Sequence, residues 1–323
     1  MRQVAVTALR TAAVIDVPDL TGPLKPDEVR GRTVVSLISP GTELNWAFTG
    51  KNDRYPVFPG YAAVFAVEEI GAEVKDLSPG DLVMGAGNHK EWQQFARKDV
   101  APLPKGLAAE QAVFCRLAGV TMSTLNTTAA RVPSRVLVTG LGPVGNLAAQ
   151  MFALAGYDVT AIDPVKQRCE LARQLGLKDV RASLAEGADI AGQVALHVEC
   201  SGHEQAVLDG CRSVRKRGEV VLVGAPWRRY TEIYAAELIS VVFHKYVVLR
   251  SGWEWEVPMY PHDFAGNSIM GNFAAAMEWI RDGRLKVDGL ATGYAPARGQ
   301  EVYDGLLAQS LPTPGAMFDW RSK

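Results

Sequence analysis

One stretch constrains this chain more than any other. The apolar run Arg135-Val-Leu-Val-Thr139 leads into Gly140-Leu141-Gly142-Pro143-Val144-Gly145, and a segment of helical character follows from Asn146 to Ala155. A strand that ends in Gly-x-Gly-x-x-Gly and opens a helix begins a βαβ unit on a parallel sheet. Gly140 permits the tight turn, Gly142 lets the backbone approach a diphosphate, and Gly145 lets the helix pack close to the strand. The helix start, with Pro143 and Val144, then offers N–H groups and a positive dipole end to the phosphates. The spacing alone is weak, but the strand before it and the helix behind it make it a dinucleotide cradle.

The alternation continues. Asp158 to Asp163 is a second β run, Val165 to Leu175 an amphipathic helix, Val194 to Glu199 a third run, Gln205 to Val214 a helix, Gly218 to Gly224 a fourth run and Lys245 to Ser251 a fifth. Strands alternating with helices of about ten residues predict a doubly wound parallel α/β sheet, the Rossmann arrangement. Asp163 stands eighteen residues past Gly145, at the end of the second run. A carboxylate there accepts from both ribose hydroxyls and repels a 2′-phosphate, which favours NAD over NADP. Arg168, five residues on, is within reach of the same ribose. The competing reading of Asp163 is a helix N-cap before Pro164. Gly224 and Ser251, at the ends of the fourth and fifth runs, complete the expected cofactor contacts.

Residues 1 to about 127 read differently: short strands such as Thr33 to Ile38, Ala63 to Ile70 and Leu82 to Met84, separated by Pro and Gly turns, predict a small barrel or sandwich. After residue 264 a helix from Asn272 to Asp282, another from Gln300 to Gln309 and a strand from Gly315 close the chain. Of 323 residues, 48% are hydrophobic, enough for a core without disulfides. Lys and Arg number 34 against 35 for Asp and Glu, a net charge of -1 that speaks against a nucleic-acid partner. The four cysteines, Cys115, Cys169, Cys200 and Cys211, form no Cys-x-x-Cys pair, so a reducing cytoplasm is expected. The start does not read as a signal peptide, and no run of about 18 uncharged apolar residues predicts a membrane span. The longest candidate, Ile233 to Leu249, carries Glu237, His244 and Lys245.

The chain resembles the medium-chain dehydrogenase/reductase superfamily, the alcohol dehydrogenase and quinone reductase relatives. The likeness rests on Pro59-Gly-Tyr with Val67-Glu-Glu-Ile-Gly, Pro79-Gly-Asp-Leu-Val, the glycine motif, Asp163 and Glu301-Val-Tyr-Asp-Gly-Leu. It implies a GroES-like β-barrel catalytic domain from residues 1–127 and 264–323, a Rossmann domain from residues 128–263, and a cleft between them for nicotinamide and substrate. Zinc-dependent members carry Cys-x-Ser/Thr-Asp where this chain has Pro40-Gly41-Thr42-Glu43, and Gly-His-Glu where it has Gly60-Tyr61-Ala62. A third ligand would fall near Cys115 in Phe114-Cys-Arg-Leu-Ala. The four-cysteine structural zinc lobe is absent from the sequence. One thiol cannot supply the three ligands of a catalytic zinc, so a zinc-free branch is expected, similar to the bacteriochlorophyllide dehydrogenases.

Without a metal, hydrogen-bond donors must face the developing oxyanion. The resemblance places Thr42 as a proton relay, Tyr61 as a phenol donating to a carbonyl and His89 on a loop bordering the substrate pocket. The plainer alternatives are a turn hydroxyl for Thr42, a void-filling ring for Tyr61 and a surface-loop residue for His89. Glu43 is expected to bond backbone or an arginine, and Cys115 to be a small buried hydrophobe. Three functions compete: an NAD(H)-dependent alcohol/carbonyl oxidoreductase on a small-molecule substrate, an NADPH-dependent quinone or enone reductase, and a non-catalytic nucleotide-binding protein. The resemblance also implies a homodimer joined near Trp227 to Leu249.

Overall fold

Seven short strands fall within the first 102 residues, in runs where side chains point alternately to the two faces of a sheet. The computed structural model describes residues 1–184 and 189–322. Its early strands are β1 (Arg2–Ala8), β2 (Thr11–Asp16), β3 (Glu28–Leu37), β4 (Ala63–Ile70), β5 (Leu82–Gly85), β6 (Trp92–Ala96) and β7 (Val100–Pro102). The glycine-motif strand is β8 (Arg135–Thr139), followed by β9 (Asp158–Ile162), β10 (Asp179–Arg181), β11 (Val194–Glu199), β12 (Val214–Leu222) and β13 (Val248–Ser251). Near the end come β14 (Ala291–Tyr294) and β15 (Gly315–Asp319).

The chain divides into two units. The first comprises Met1–Arg116, Phe273–Gly283 and Asp288–Lys323; the second comprises Leu117–Asn272 and Arg284–Val287. In the first, β1 and β2 form an antiparallel hairpin, and a sheet runs β14-β15-β3-β4-β5-β7 with β6 also on β3. Both chain ends contribute to its core: Val4, Val6, Ile38 and Phe48 pack with Tyr303, Phe318 and Trp320. A second cluster gathers Val29, Phe65, Val67, Val83 and Val100.

The second unit is a parallel sheet in the order β10-β9-β8-β11-β12-β13. The chain leaves β8 toward β9 on one side and later reaches β11 on the other. That reversal is the topological switch point, outside whose strand ends doubly wound sheets bind their ligands. Every side chain of β11 is buried, as a central parallel strand covered on both faces requires.

The predicted α/β class and the two kinds of sheet are therefore present, but several elements differ from expectation. The first 127 residues are not strands alone: Ala109–Ala112 and Cys115–Thr127 are helices. From Ala112 to Gly119 the side chains are buried without a break. A helix buried nearly all round shows no amphipathic stripe to read. The fifth β run does not begin at Lys245, because Ala235–Lys245 is a helix that ends at Tyr246 in the left-handed conformation, φ 54°. β13 starts only at Val248. The short strands β2, β6, β7 and β10 escaped the sequence reading because runs this short carry little periodicity.

Candidate active site

The candidate residues form two groups, one in each unit. In the second unit, Gly140 follows β8 with φ 83°, a conformation that an L side chain rarely adopts. Gly142 is the N-cap of the helix Pro143–Leu154, and no side chain caps that helix. A Cβ on Gly142 would meet nothing within 4 Å, whereas one on Gly145 would lie 1.7 Å from the Gly140 carbonyl oxygen. Gly145 thus seals the helix against the bend, and Gly142, beside Pro143 and Val144, faces open space. That is the cradle a diphosphate requires.

Asp163 closes the bend from the side. One carboxylate oxygen accepts the Leu141 N–H at 2.7 Å, and the other accepts the Val165 N–H at 2.8 Å. Arg168 Nη1 lies 3.4 Å from the first oxygen. Asp163 is only 1% exposed. The helix Lys166–Gln174 takes Val165, not Asp163, as its N-cap, so the capping alternative is corrected to an aspartate that orders the turn before the helix.

Glu199, at the end of β11, was missed. Its carboxylate accepts the Ser201 N–H at 2.7 Å and the Gly202 N–H at 2.9 Å, and also bonds the Ser201 hydroxyl. Its carbonyl accepts the N–H groups of Val223 and Gly224 at 2.8 and 2.7 Å. Burial pushes the Glu199 carboxyl above its ordinary value, while the hydrogen bonds from Ser201, Gly202 and Thr139 pull it back. The available signal was an acid ending a strand that is otherwise uncharged. Gly224 packs so close that a Cβ there would lie 2.3 Å from the Gly202 nitrogen. The bend, Asp163, Arg168 and Gly224 therefore gather at one edge of the sheet. Ser251 lies at the end of the outermost strand, β13, where its hydroxyl accepts the Trp253 N–H at 3.1 Å.

In the first unit, Thr42 and Tyr61 come together. The Tyr61 hydroxyl donates to Thr42 Oγ1 over a long 3.5 Å. Burial pushes the Tyr61 phenol above its ordinary 10.0, and the Arg116 charge with the hydroxyls of Ser39 and Thr42 pulls it partway back. His89 is not a surface-loop residue: it is fully buried, with Nδ1 2.8 Å from the Ser36 hydroxyl and Nε2 2.9 Å from Glu43 Oε2. Glu43 also accepts the Ser39 N–H at 2.8 Å and the Tyr303 hydroxyl at 2.7 Å. Trp320 donates to Ser36 at 2.9 Å. The expected backbone bond of Glu43 is present; in place of an arginine it meets His89 and Tyr303. No local pattern announces these partners, which lie 46 and 260 residues away.

Zinc does not fit the residues present. No group of three His, Cys, Asp or Glu among the described residues is placed to hold a metal ion. Of the three expected ligand positions, Pro40 and Tyr61 offer no metal-binding nitrogen or thiolate. Cys115 is fully buried, and burial drives its thiol far above the ordinary range, so it stays un-ionised.

The family described as zinc-binding dehydrogenase matches residues 143–251, a stretch that includes none of those three positions. An alcohol dehydrogenase of Geobacillus stearothermophilus is 28% identical over 212 residues, 54% of this chain and 62% of that enzyme. The aligned part is thus less than two thirds of that relative's length. Among solved structures, galactitol-1-phosphate dehydrogenase from Escherichia coli superposes with a TM-score of 0.82 at 18% identity, covering 99% of this chain and 100% of that one. Acetophenone reductase from Geotrichum candidum, solved in complex with NAD, gives 0.80 at 15% identity over 100% and 98%. The fold is the one these enzymes share. The chain is similar to the alcohol-dehydrogenase-like medium-chain dehydrogenases in fold over its whole length, and to the zinc-binding dehydrogenase family in sequence over residues 143–251.

Proposed function

We propose that this chain is a zinc-independent, NAD(H)-dependent oxidoreductase that moves hydride between nicotinamide and an alcohol/carbonyl pair. The observation that carries the reading is the coexistence of an intact glycine cradle with a Tyr61 phenol at an expected ligand position, bonded to the Thr42 hydroxyl. In this reading residues 128–263 are the cofactor domain, with Gly140, Gly142, Pro143, Val144, Gly145, Asp163, Arg168, Gly224 and Ser251 as its contacts. Residues 1–127 and 264–323 are the catalytic domain.

The bound nicotinamide supplies the hydride. The chain's own part is to seat the diphosphate, to hold the ribose and to manage one proton. The cradle's N–H groups do the first. Asp163 does the second: a carboxylate has about four lone-pair sites, and three N–H donors already face this one, which leaves one for a ribose hydroxyl. Its charge disfavours a 2′-phosphate. Tyr61, protonated at neutral pH, donates to the substrate oxygen. Its bond to Thr42 is at the limit of hydrogen-bond length, so turning the phenol toward substrate sacrifices little. His89 acts behind the pair, as a support for the loop, and not as the proton donor.

Arg168 beside Asp163 favours one other reading, an NADPH-dependent reductase of enones or quinones, since a guanidinium suits a 2′-phosphate. Fluorescence titration with NADH and NADPH separates the two. Tighter NADH binding, turnover of a carbonyl or alcohol in a screen, and zinc-free protein by elemental analysis support the proposal. A clear preference for NADPH, or tightly held zinc, overturns it.

We further propose a homodimer through β13 and the helix before it. Leu238, Val241 and Val242 pack that helix on the sheet, while Ile239, Phe243 and Tyr246 stay 64%, 75% and 67% exposed. A solvent-facing apolar row next to an edge strand calls for a partner. The four cysteines are free thiols, which suits a reducing compartment.

A further inference from the structure

Three residues follow Glu199, and each rests on a different part of the proposed dinucleotide site. A Cβ on Gly145 would lie 3.0 Å from Cys200 Cβ, and one on Gly140 would lie 2.7 Å from the Ser201 nitrogen. Gly202, left-handed at φ 70°, packs so close to the loop after β12 that a Cβ there would lie 2.8 Å from the Ala225 oxygen. Residues 200–202 are thus a wedge between the glycine bend and Gly224. The Glu199 side chain shapes the wedge: its two carboxylate oxygens take the Ser201 and Gly202 N–H groups and the Ser201 hydroxyl.

A second chain of hydrogen bonds ends on the same carboxylate. His197, two residues back and so on the same face of β11, is fully buried, and burial pushes it down to about 3, so the ring is neutral. Its Nε2 lies 2.8 Å from Thr139 Oγ1. Its Nδ1 has no partner among the described residues and faces Gly210, where a Cβ would lie 1.8 Å away. A buried N–H without an acceptor is rarer than an idle acceptor, so the ring proton sits on Nε2 and donates to Thr139. The Thr139 hydroxyl is left to donate to Glu199 Oε1 at 3.4 Å. Every group that bonds the carboxylate is therefore a donor. The other titratable groups nearby are turned away or neutral. Burial keeps the Cys200 thiol un-ionised, His203 stacks on Tyr230 at 5.1 Å with Nδ1 accepting the Gln205 N–H, and Glu204 accepts the Tyr230 N–H.

We propose that ionised Glu199 is a positioning residue that holds the glycine bend and the loops after β11 and β12 in the shape a dinucleotide binds, so that protonating this one carboxyl weakens cofactor binding. This role presupposes the dinucleotide site proposed above. Protonation puts a donor among donors: the acid O–H displaces one of the N–H groups, and the wedge loosens. Burial favours the protonated form, and the donors favour the ionised one. A ligand that needs the wedge in place tips that balance toward ionisation, and by linkage ionisation tightens the ligand.

The test uses the full chain and NAD, titrated by calorimetry from mildly acidic to neutral pH at fixed ionic strength. The wild-type Kd rises as pH falls through the Glu199 titration. Binding in that range releases protons, read from the dependence of the binding enthalpy on the buffer. Glu199→Gln places an amide NH₂ against the N–H donors, so it binds NAD about 10-fold or more weakly at neutral pH, and its Kd lacks that acid limb. Asp163 is common to both proteins, so the difference between their pH curves belongs to Glu199; a merely structural carboxyl would weaken binding without producing the limb. Ser201→Ala removes one donor and keeps the carboxyl. It moves the acid limb to higher pH, and it serves as the test should Glu199→Gln not fold. A wild-type Kd that follows the same pH course as that of Glu199→Gln, an acid limb unmoved in Ser201→Ala, or equal NAD binding by Glu199→Gln and wild type overturns the proposed role. A wild type that binds no dinucleotide at any pH overturns the reading of the site, and this role with it.

Discussion

Replacing Gly142 and Gly145 by alanine separates binding from packing on one short loop. Gly142 has φ -62° and ψ -178°, a backbone conformation open to alanine. Its added methyl would touch no protein atom within 4 Å, so Gly142→Ala should change folding stability by no more than about 0.5 kcal/mol. The same methyl would occupy the space that a diphosphate oxygen needs. Losing one charge-assisted hydrogen bond is worth about 1.5–3 kcal/mol, which at about 1.4 kcal/mol per decade weakens dinucleotide binding by about 10- to 150-fold. Gly145→Ala should behave in the opposite way. Its methyl would lie 1.7 Å from the Gly140 oxygen and 3.0 Å from Cys200 Cβ, so the helix must shift, at an overpacking cost of about 1–3 kcal/mol. Intrinsic fluorescence titration with NADH and thermal unfolding of both variants are the assays. If Gly142→Ala binds NADH as the wild type does, or loses as much Tm as Gly145→Ala, the diphosphate does not rest on this bend.

Four further outcomes follow from the geometry. Tyr61→Phe removes the donor hydroxyl and should lower kcat/KM by about 10²-fold or more at nearly unchanged Tm; wild-type turnover would end its role as proton donor. Glu43→Gln leaves the Ser39 N–H, the Tyr303 hydroxyl and His89 to share one acceptor oxygen, and should destabilise the first unit by about 3–5 kcal/mol, read by denaturant unfolding; a loss below about 1 kcal/mol would show the cluster to be incidental. Because Glu199's carboxyl is raised in the folded state, its unfavourable contribution is absent below its ordinary 4.5, grows as pH rises from there and is complete above the folded value. The wild-type stability relative to Glu199→Gln should therefore fall with rising pH across that window, and a flat difference would contradict the burial argument. Phe243→Glu should convert a dimer to a monomer by light scattering; a monomeric wild type would remove the proposed interface.

What the sequence reveals and what it conceals differ in kind. The βαβ half was legible because each strand, bend and helix is a contiguous run: Arg135–Thr139 and Val194–Glu199 have the strand limits read from the sequence, as Ala63–Ile70 does in the first unit. Thr42 and Tyr61 were placed through motif position and do meet. Residues whose role depends on a distant partner were not legible. His89 looks like an isolated loop residue because Ser36 on β3 and Glu43 on a helix meet it only in the folded chain. Glu199 was readable in principle, as an acid at the end of a strand that is otherwise neutral.

The layered arrangement of the first unit explains why both chain ends must build it. Tyr61 follows Gly60, whose φ is 99° and whose missing Cβ leaves room for His89: a methyl there would lie 2.6 Å from the His89 nitrogen and 2.9 Å from its ring. The loop carrying Tyr61 thus rests directly on His89. His89 is fixed in turn by Ser36 and Glu43, and these are held by Trp320 and Tyr303, both from the C-terminal segment. Phe318 completes the support, edge-on to the imidazole at 5.0 Å. A metal ion would fix such a site by drawing ligands from several segments to one point. Here buried hydrogen bonds perform the same gathering beneath the loop that carries Tyr61. A change at Tyr303 or Trp320 therefore acts on the chemistry only through His89 and Glu43, and those effects should be non-additive with changes at Glu43 itself.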